Sequence, residues 1–218
     1  GLGVRHDLPM SAITEGIMPD KAWKQERWGQ DWRIGDTINA SIGQGYVLAS
    51  PLQLAVMTAR LATGRAVNPR LVRAIEGREI PVEPAEPLGL STSNLTAVLG
   101  GMDAVMNGKS GTARSSRVVA EDMRMAGKTG TARLAVAGGY GSDYVATFVG
   151  VAPVSNPRLA IAVIMDEPRG DHYYGGEVSA PVFSRVMTGA LRILNVAPDA
   201  VTVGQGQVAA LAELNKRG

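Results

Sequence analysis

Cysteine is absent from the 218 residues, which excludes disulfides, thiolate metal sites and a cysteine nucleophile. It does not fix the compartment, since secreted proteins can also lack cysteine. Histidine is scarce: His6 and His172 are the only two. A His-rich metal site is excluded, no cofactor is expected, and a Ser-His-Asp triad would have to use one of these two. No run of about 18 apolar residues occurs, so no segment reads as a membrane-spanning helix. No signal peptide is visible. The chain opens on Gly1-Leu2-Gly3-Val4 instead of Met, and a preceding segment is expected. Charge of one sign is lacking too. The net charge is +2 and the pI about 9.1, but both signs are scattered along the chain. Short clusters such as Lys216-Arg217 read as solvated surface, and no nucleic-acid partner is expected.

What is present suffices for a core: 45% of the residues are hydrophobic and 19% charged, the balance of a globular protein. Residues 1–48 show weak periodicity and read as irregular loops, with Trp23, Trp28 and Trp32 anchoring them to the body. Helices are expected over 51–63, 92–107 and 180–194. The first has a start with a mechanism: Ser50 accepts from an orphan N–H, Pro51 needs no N–H at the first position, and Gln53 reaches back. Gly64 is placed to end it. Ser91 or Ser93 caps the second helix and Ser179 the third. A short extended segment is expected around Leu71-Val72, and the prolines at 81, 84 and 87 mark a surface connection.

Strands are expected over 123–134, 144–152 and 158–166, joined by short turn-rich links and so antiparallel. The second and third are apolar at nearly every position, which requires cover on both faces. The architecture is therefore α+β: an antiparallel sheet of at least three strands packed with helices. Residues 1–197 are read as one domain portion and 198–218 as a tail, with a short helix around 207–215.

The sharpest local signal is Lys128-Thr129-Gly130-Thr131. A nucleotide P-loop would need a glycine where Asp122 stands, and a helix starting at Lys128 instead of a strand. Gly108-Lys109-Ser110 fails likewise, at Asp103. As part of a strand the motif has other uses. Gly130 permits close backbone approach, so an extended peptide can pair with the edge. Thr129 and Thr131 bring hydroxyls, Lys128 brings a cation for an anionic ligand, and the backbone N–H after Gly130 can face a developing oxyanion. An ordinary strand with polar residues on its open face is the plain alternative. Lys109-Ser110-Gly111-Thr112 repeats the pattern without the apolar strand context. His172 reads as a surface-loop residue, Asp36 and Asn39 as turn formers in a glycine-rich loop, and Gln44-Gly45-Tyr46 as a loop-positioning element near the site.

The residues around this motif resemble class B penicillin-binding proteins over roughly 1–200. The resemblance is carried by Gly35 through Tyr46 with Ser50-Pro51-Leu52-Gln53-Leu54-Ala55, by Gly100-Gly101-Met102, by Phe148 through Pro153, and by Tyr173 through Phe183. The front, with Met18 through Lys24 and Ile42-Gly43-Gln44-Gly45, looks more like the cell-elongation type. The end, with Asp166 through Asp171 and the Tyr-Tyr-Gly-Gly segment, looks more like the division type.

The resemblance implies a peptidoglycan-cross-linking serine D,D-transpeptidase that binds D-Ala-D-Ala stem peptides and β-lactams. It implies a membrane glycosyltransferase and morphogenesis or division proteins as partners, and an inner-membrane anchor with this domain in the periplasm. Such enzymes combine S-x-x-K, S-x-N and K-T-G motifs. Only the last is present here. No serine stands three residues before a lysine or two before an asparagine, so no catalytic residue is assigned to this chain. The match places substrate binding on Lys128, Thr129, Gly130 and Thr131, and a fragment lacking the nucleophile is expected. The alternative is a non-catalytic peptidoglycan- or protein-binding module of the same fold.

Overall fold

The computed structural model describes residues 1–117, 123–136, 139–197 and 199. In chain order come α1 (Lys21–Trp28), α2 (Ile34–Ser41), α3 (Pro51–Thr63), the small hairpin β1 (Ala74–Ile75) and β2 (Arg78–Glu79), and α4 (Thr92–Asn107). They are followed by β3 (Ala126–Val136), β4 (Gly139–Ala152), β5 (Leu159–Asp166) and α5 (Gly175–Ile193). The three long strands form one antiparallel sheet in the order β3-β4-β5.

Two helices have the expected bounds because their ends are written in side-chain chemistry. At α3, the Ser50 hydroxyl accepts from the Gln53 N–H at 3.2 Å while Gln53 Oε1 accepts from the Ser50 N–H at 2.9 Å. Gly64 closes the helix in the left-handed conformation that a Cβ disfavours. At α4, Ser91 accepts from Asn94 N–H.

Four expectations are corrected. Residues 1–48 are not all irregular: α1, capped by Asp20, and α2, whose Asp36 carboxylate accepts from the Arg33 N–H, are eight-residue helices of about two turns. Such short helices carry no long apolar stripe to betray them. The extended segment expected at Leu71-Val72 lies further on, in the β1–β2 hairpin. α5 begins at Gly175 instead of near 180. Its supposed cap, Ser179, is buried inside the helix, donating to the Ala146 carbonyl at 2.9 Å, and Pro181 is interior as well. β4 starts at Gly139, so Gly139 and Gly141 belong to the hairpin's arm. The expected tail and the helix around 207–215 lie outside the described residues, apart from Asp199.

The sheet is covered on both faces. On one, α5 buries Phe183, Met187 and Leu191 against Phe148, Met125 and Ala152, with the Phe148 and Phe183 ring centroids 4.7 Å apart. Full burial of a side chain such as Phe183 stabilises by ~2–3 kcal/mol. On the other, α3 and α4 meet the sheet through Met102, Leu99, Ala62, Val151 and Ala126. Beyond α5, Asp199 ties the chain back to the sheet, accepting from the backbone N–H of Arg124 and of Ser155 and from the Ser155 hydroxyl. Among the described residues no helix is long and apolar enough to cross a membrane.

Candidate functional site

Among the described residues β3 pairs with β4 on one side only, so its other edge is open along Lys128-Thr129-Gly130-Thr131. Strand alternation divides the motif between two faces. Thr129 and Thr131 lie opposite Phe148 and Ala146, on the face that α5 covers, while Lys128 and Gly130 lie opposite Val149 and Thr147 on the other.

Each side chain is held differently. Lys128 bends along the edge and donates to the Thr129 carbonyl at 2.7 Å. Its exposed ammonium makes no ion pair with another described residue. A cation with no anion of its own suits an incoming carboxylate. The Thr129 hydroxyl lies 3.1 Å from that of Thr112, which belongs to the loop after α4. The Thr131 hydroxyl oxygen accepts from the Gly175 N–H, at the start of α5, at 3.1 Å. That bond leaves the Thr131 O–H hydrogen for another acceptor. The nineteen-residue α5 also directs its positive N-terminal end at this point of the strand.

Glycine at 175 and 176 is what permits the junction. A Cβ on Gly175 would lie 2.3 Å from the Thr147 carbonyl oxygen and 2.4 Å from that of Gly130. One on Gly176 would lie 2.2 Å from the Thr112 carbonyl oxygen. Gly130 is confined by a side chain instead, since a Cβ there would meet the Thr147 hydroxyl at 2.2 Å. Sequence reasoning singled out the four strand residues but gave no site role to Thr112, Gly175 or Gly176. Thr112 sits in the weak near-repeat Lys109-Ser110-Gly111-Thr112, and the two glycines look like loop residues. The P-loop reading fails in the structure as well: Lys128 sits in mid-strand and Lys109 in a turn.

An aromatic wall stands beyond the motif. Tyr144, paired with Arg133 across the hairpin, stacks on Tyr173 at 4.6 Å, and Tyr173 contacts Tyr174 at 4.5 Å. The Tyr173 hydroxyl donates to that of Tyr174 at 3.2 Å, a bond that raises the Tyr173 pKa above the ordinary tyrosine value. The Arg133 guanidinium lies 5.8 Å from the Tyr144 ring centre. His172 is exposed, 3.5 Å from Glu177, in keeping with a surface-loop residue.

A concavity of about 410 Å³ lies at the far end of the β3–β4 hairpin. Trp32, Asp36, Asn39, Tyr46, Val136 and Tyr140 line it. Here the loop readings of Asp36 and Asn39 are corrected, because both stand on α2. Asp36 binds the buried Lys24 ammonium at 2.5 Å. That bond, with the Arg33 N–H, holds the Asp36 carboxyl below the ordinary range. Trp23 and Trp28 do anchor a loop, packing on Tyr46 at 5.2 and 6.3 Å, whereas Trp32 lines the cavity. The Gly45 N–H donates to the Tyr140 hydroxyl at 3.2 Å. The Gln44-Gly45-Tyr46 segment is thus placed at the hairpin's far end instead of beside Lys128.

The chain matches the family model "Penicillin binding protein transpeptidase domain" over residues 1–188. It is 34% identical over 206 residues to the peptidoglycan D,D-transpeptidase FtsI of Escherichia coli K12, covering 94% of this chain and 32% of that protein. It is 35% identical over 205 residues to the peptidoglycan D,D-transpeptidase MrdA of Haemophilus influenzae, covering 86% and 30%. In structure it is similar to Pseudomonas aeruginosa PBP2 solved in complex with WCK 5153, with a TM-score of 0.75 at 35% identity, over 88% of this chain and 41% of that one. The chain spans about a third of the length of the curated relatives it matches.

Proposed function

Because the chain belongs to the penicillin-binding protein transpeptidase family, we propose that it forms the substrate-holding part of a peptidoglycan D,D-transpeptidase that acts on D-Ala-D-Ala stem peptides and is acylated by β-lactams. The observation that carries this reading is the open edge of β3, where an ammonium without an ion pair among the described residues, two oriented hydroxyls and a helix N-terminus meet around Gly130.

In the reaction a serine oxygen attacks the penultimate D-Ala carbonyl, the terminal D-Ala leaves as an amine, and the acyl group passes to a neighbouring stem amine. The residues of this chain bind and polarise. Lys128 and Thr129 receive the terminal carboxylate region and join the proton network around the nucleophile. Gly130 lets the peptide backbone approach the strand. Thr131 donates its hydroxyl hydrogen to the carboxylate, and its backbone N–H serves as one oxyanion donor. The serine and lysine of a Ser-x-x-Lys motif are not among the 218 residues, so the chemistry needs a nucleophile that this chain does not carry.

We further propose that the whole protein sits in the inner membrane with this domain in the periplasm. Its partners there would be a membrane glycosyltransferase and morphogenesis or division proteins. Near-equal identity to FtsI and MrdA supports neither the division nor the elongation type over the other. The test is covalent labelling by a fluorescent penicillin. The whole protein should be labelled and the 218-residue chain should not. A stable adduct on the chain alone, or an unlabelled whole protein, overturns the reading.

A further inference from the structure

The cavity at the far end of the β3–β4 hairpin has no part in the reading above, and its chemistry differs from that of the Lys128–Thr131 edge. Three aromatic side chains, Trp32, Tyr46 and Tyr140, line about 410 Å³ together with Asp36 and Asn39. The volume falls in the range of small-molecule sites. The cavity is preorganised. The Trp32 Nε1–H donates to the Thr37 hydroxyl at 2.8 Å, Tyr140 is fixed by the Gly45 N–H, and Asp36 is held by Lys24 and by the Arg33 N–H. The Asn39 carboxamide, by contrast, makes no hydrogen bond with another described residue, so its two donors and its acceptor remain to be used. Aromatic faces beside a free carboxamide and a carboxylate are suited to a ring that has apolar C–H faces and polar edges.

Position along the strand indicates which ring. β3 extends two residues before Lys128 and eight after it. A peptide whose terminal carboxylate lies at Lys128–Thr131, and which pairs with the open edge, has strand to follow in one direction only. It runs antiparallel to β3, toward Val136. A stem of about five residues spans ~17 Å when extended, comparable to the five steps from Thr131 to Val136, a stretch that a register shift interrupts between Arg133 and Ala135. Val136 is where the cavity wall begins. In peptidoglycan the N-terminus of the stem is joined to an N-acetylated amino sugar.

We propose that this cavity binds the N-acetylated sugar of the glycan strand to which the donor stem is attached. Trp32 offers its ring to the sugar, Tyr46 and Tyr140 complete the aromatic lining, and Asn39 offers its carboxamide to the acetamido group. The inference rests on the substrate-binding reading of β3, and the two can fail separately.

The experiment uses the whole protein and two soluble donors, the D-Ala-D-Ala stem pentapeptide and the same peptide carried on the disaccharide of N-acetylglucosamine and N-acetylmuramic acid. The expected result is a kcat/KM at least about tenfold higher for the disaccharide form. In Asn39→Ala and Trp32→Ala that ratio falls toward one, with Asn39→Ala losing the larger share per atom removed. A ratio of one in the unaltered protein overturns the proposal. So does a ratio that both variants leave in place. Measurement on the unaltered protein needs no variant to fold, and penicillin acylation checks the fold of the variants. If the unaltered protein is acylated by penicillin and processes both donors equally, only the sugar site is wrong. If it is not acylated and processes neither, the reading of β3 is wrong.

Discussion

The Gly175 N–H donates to the Thr131 hydroxyl oxygen at 3.1 Å, so the first residue of α5 fixes the rotamer of a side chain on the open strand. On the proposed reading, the contact links the fold to the chemistry. α5 is the helix that buries the core, and its position decides which way the Thr131 O–H points.

Thr131→Val keeps the size and the backbone N–H but removes the hydroxyl. It also leaves the Gly175 N–H without its partner. Loss of one hydrogen bond to a charged group costs ~1.5–3 kcal/mol. The second-order rate of penicillin acylation of the whole protein should therefore fall about ten- to a hundredfold. An unchanged rate would separate the Thr131 hydroxyl from binding.

Gly130→Ala places a methyl 2.2 Å from the Thr147 hydroxyl across the hairpin. Overpacking of this kind costs ~1–3 kcal/mol. The obstruction is one side-chain oxygen, so Thr147→Ala should relieve it. In a denaturation double-mutant cycle the double variant should be more stable than Gly130→Ala alone, with a coupling of ~1 kcal/mol or more. Additive losses would place the strain elsewhere. Gly175→Ala should not be rescued in this way, because its obstacles are the backbone carbonyls of Thr147 and Gly130.

These two glycines show where the sequence was legible and where it was not. α3 and α4 were bounded correctly because Ser50, Pro51, Gln53, Gly64 and Ser91 act on their own neighbours, and such chemistry is local. Lys128 through Thr131 stands out as a motif for the same reason. The start of α5 is not legible in the sequence because Tyr174 makes no side-chain cap and Gly175-Gly176 mimics a turn. The need for glycine there comes from Thr147, Gly130 and Thr112, far away in the chain. The cavity is illegible on similar grounds, since Trp32, Asp36, Asn39 and Tyr46 meet Val136, Gly139 and Tyr140 only in the folded chain.

Asp103 and Arg124 join α4 to the residues before β3 through two 2.7 Å bonds. Asp103 has its pKa lowered, first by the hydrogen bond from Arg124. A carboxyl depressed in the folded state stabilises above its unfolded pKa and loses that contribution as pH falls through its folded pKa. The loss therefore begins below about pH 4. Arg124 is half exposed, so screening limits the effect to ~1 kcal/mol or less. Urea midpoints of the unaltered protein at pH 6 and pH 3 should differ by more than those of Asp103→Asn. Equal differences would show that the pair does not contribute.

Gln53 is fully buried and satisfies four groups at once. Its Oε1 accepts from the Ser50 N–H, its Nε2 donates to the Val4 carbonyl at 3.0 Å and the Glu15 carbonyl at 2.6 Å, and its backbone N–H reaches the Ser50 hydroxyl. Gln53→Leu fills the space but orphans one N–H and two carbonyls, each costing ~1–3 kcal/mol when water cannot replace the lost partner. A loss of ~3 kcal/mol or more is expected, measured by denaturant unfolding of the whole protein. Gln53→Glu tests the donor side alone. An ionised carboxylate still accepts from Ser50 but repels both carbonyls, whereas a protonated one can donate to one of them. Burial and the carbonyls raise the folded-state pKa of the introduced acid. Its penalty should therefore be small below about pH 4 and grow as pH rises past the unfolded value. The gap in stability between Gln53→Glu and the unaltered protein should widen from pH 4 to pH 8. A constant gap would show that the two Nε2 bonds contribute little to holding residues 4 and 15 against α3.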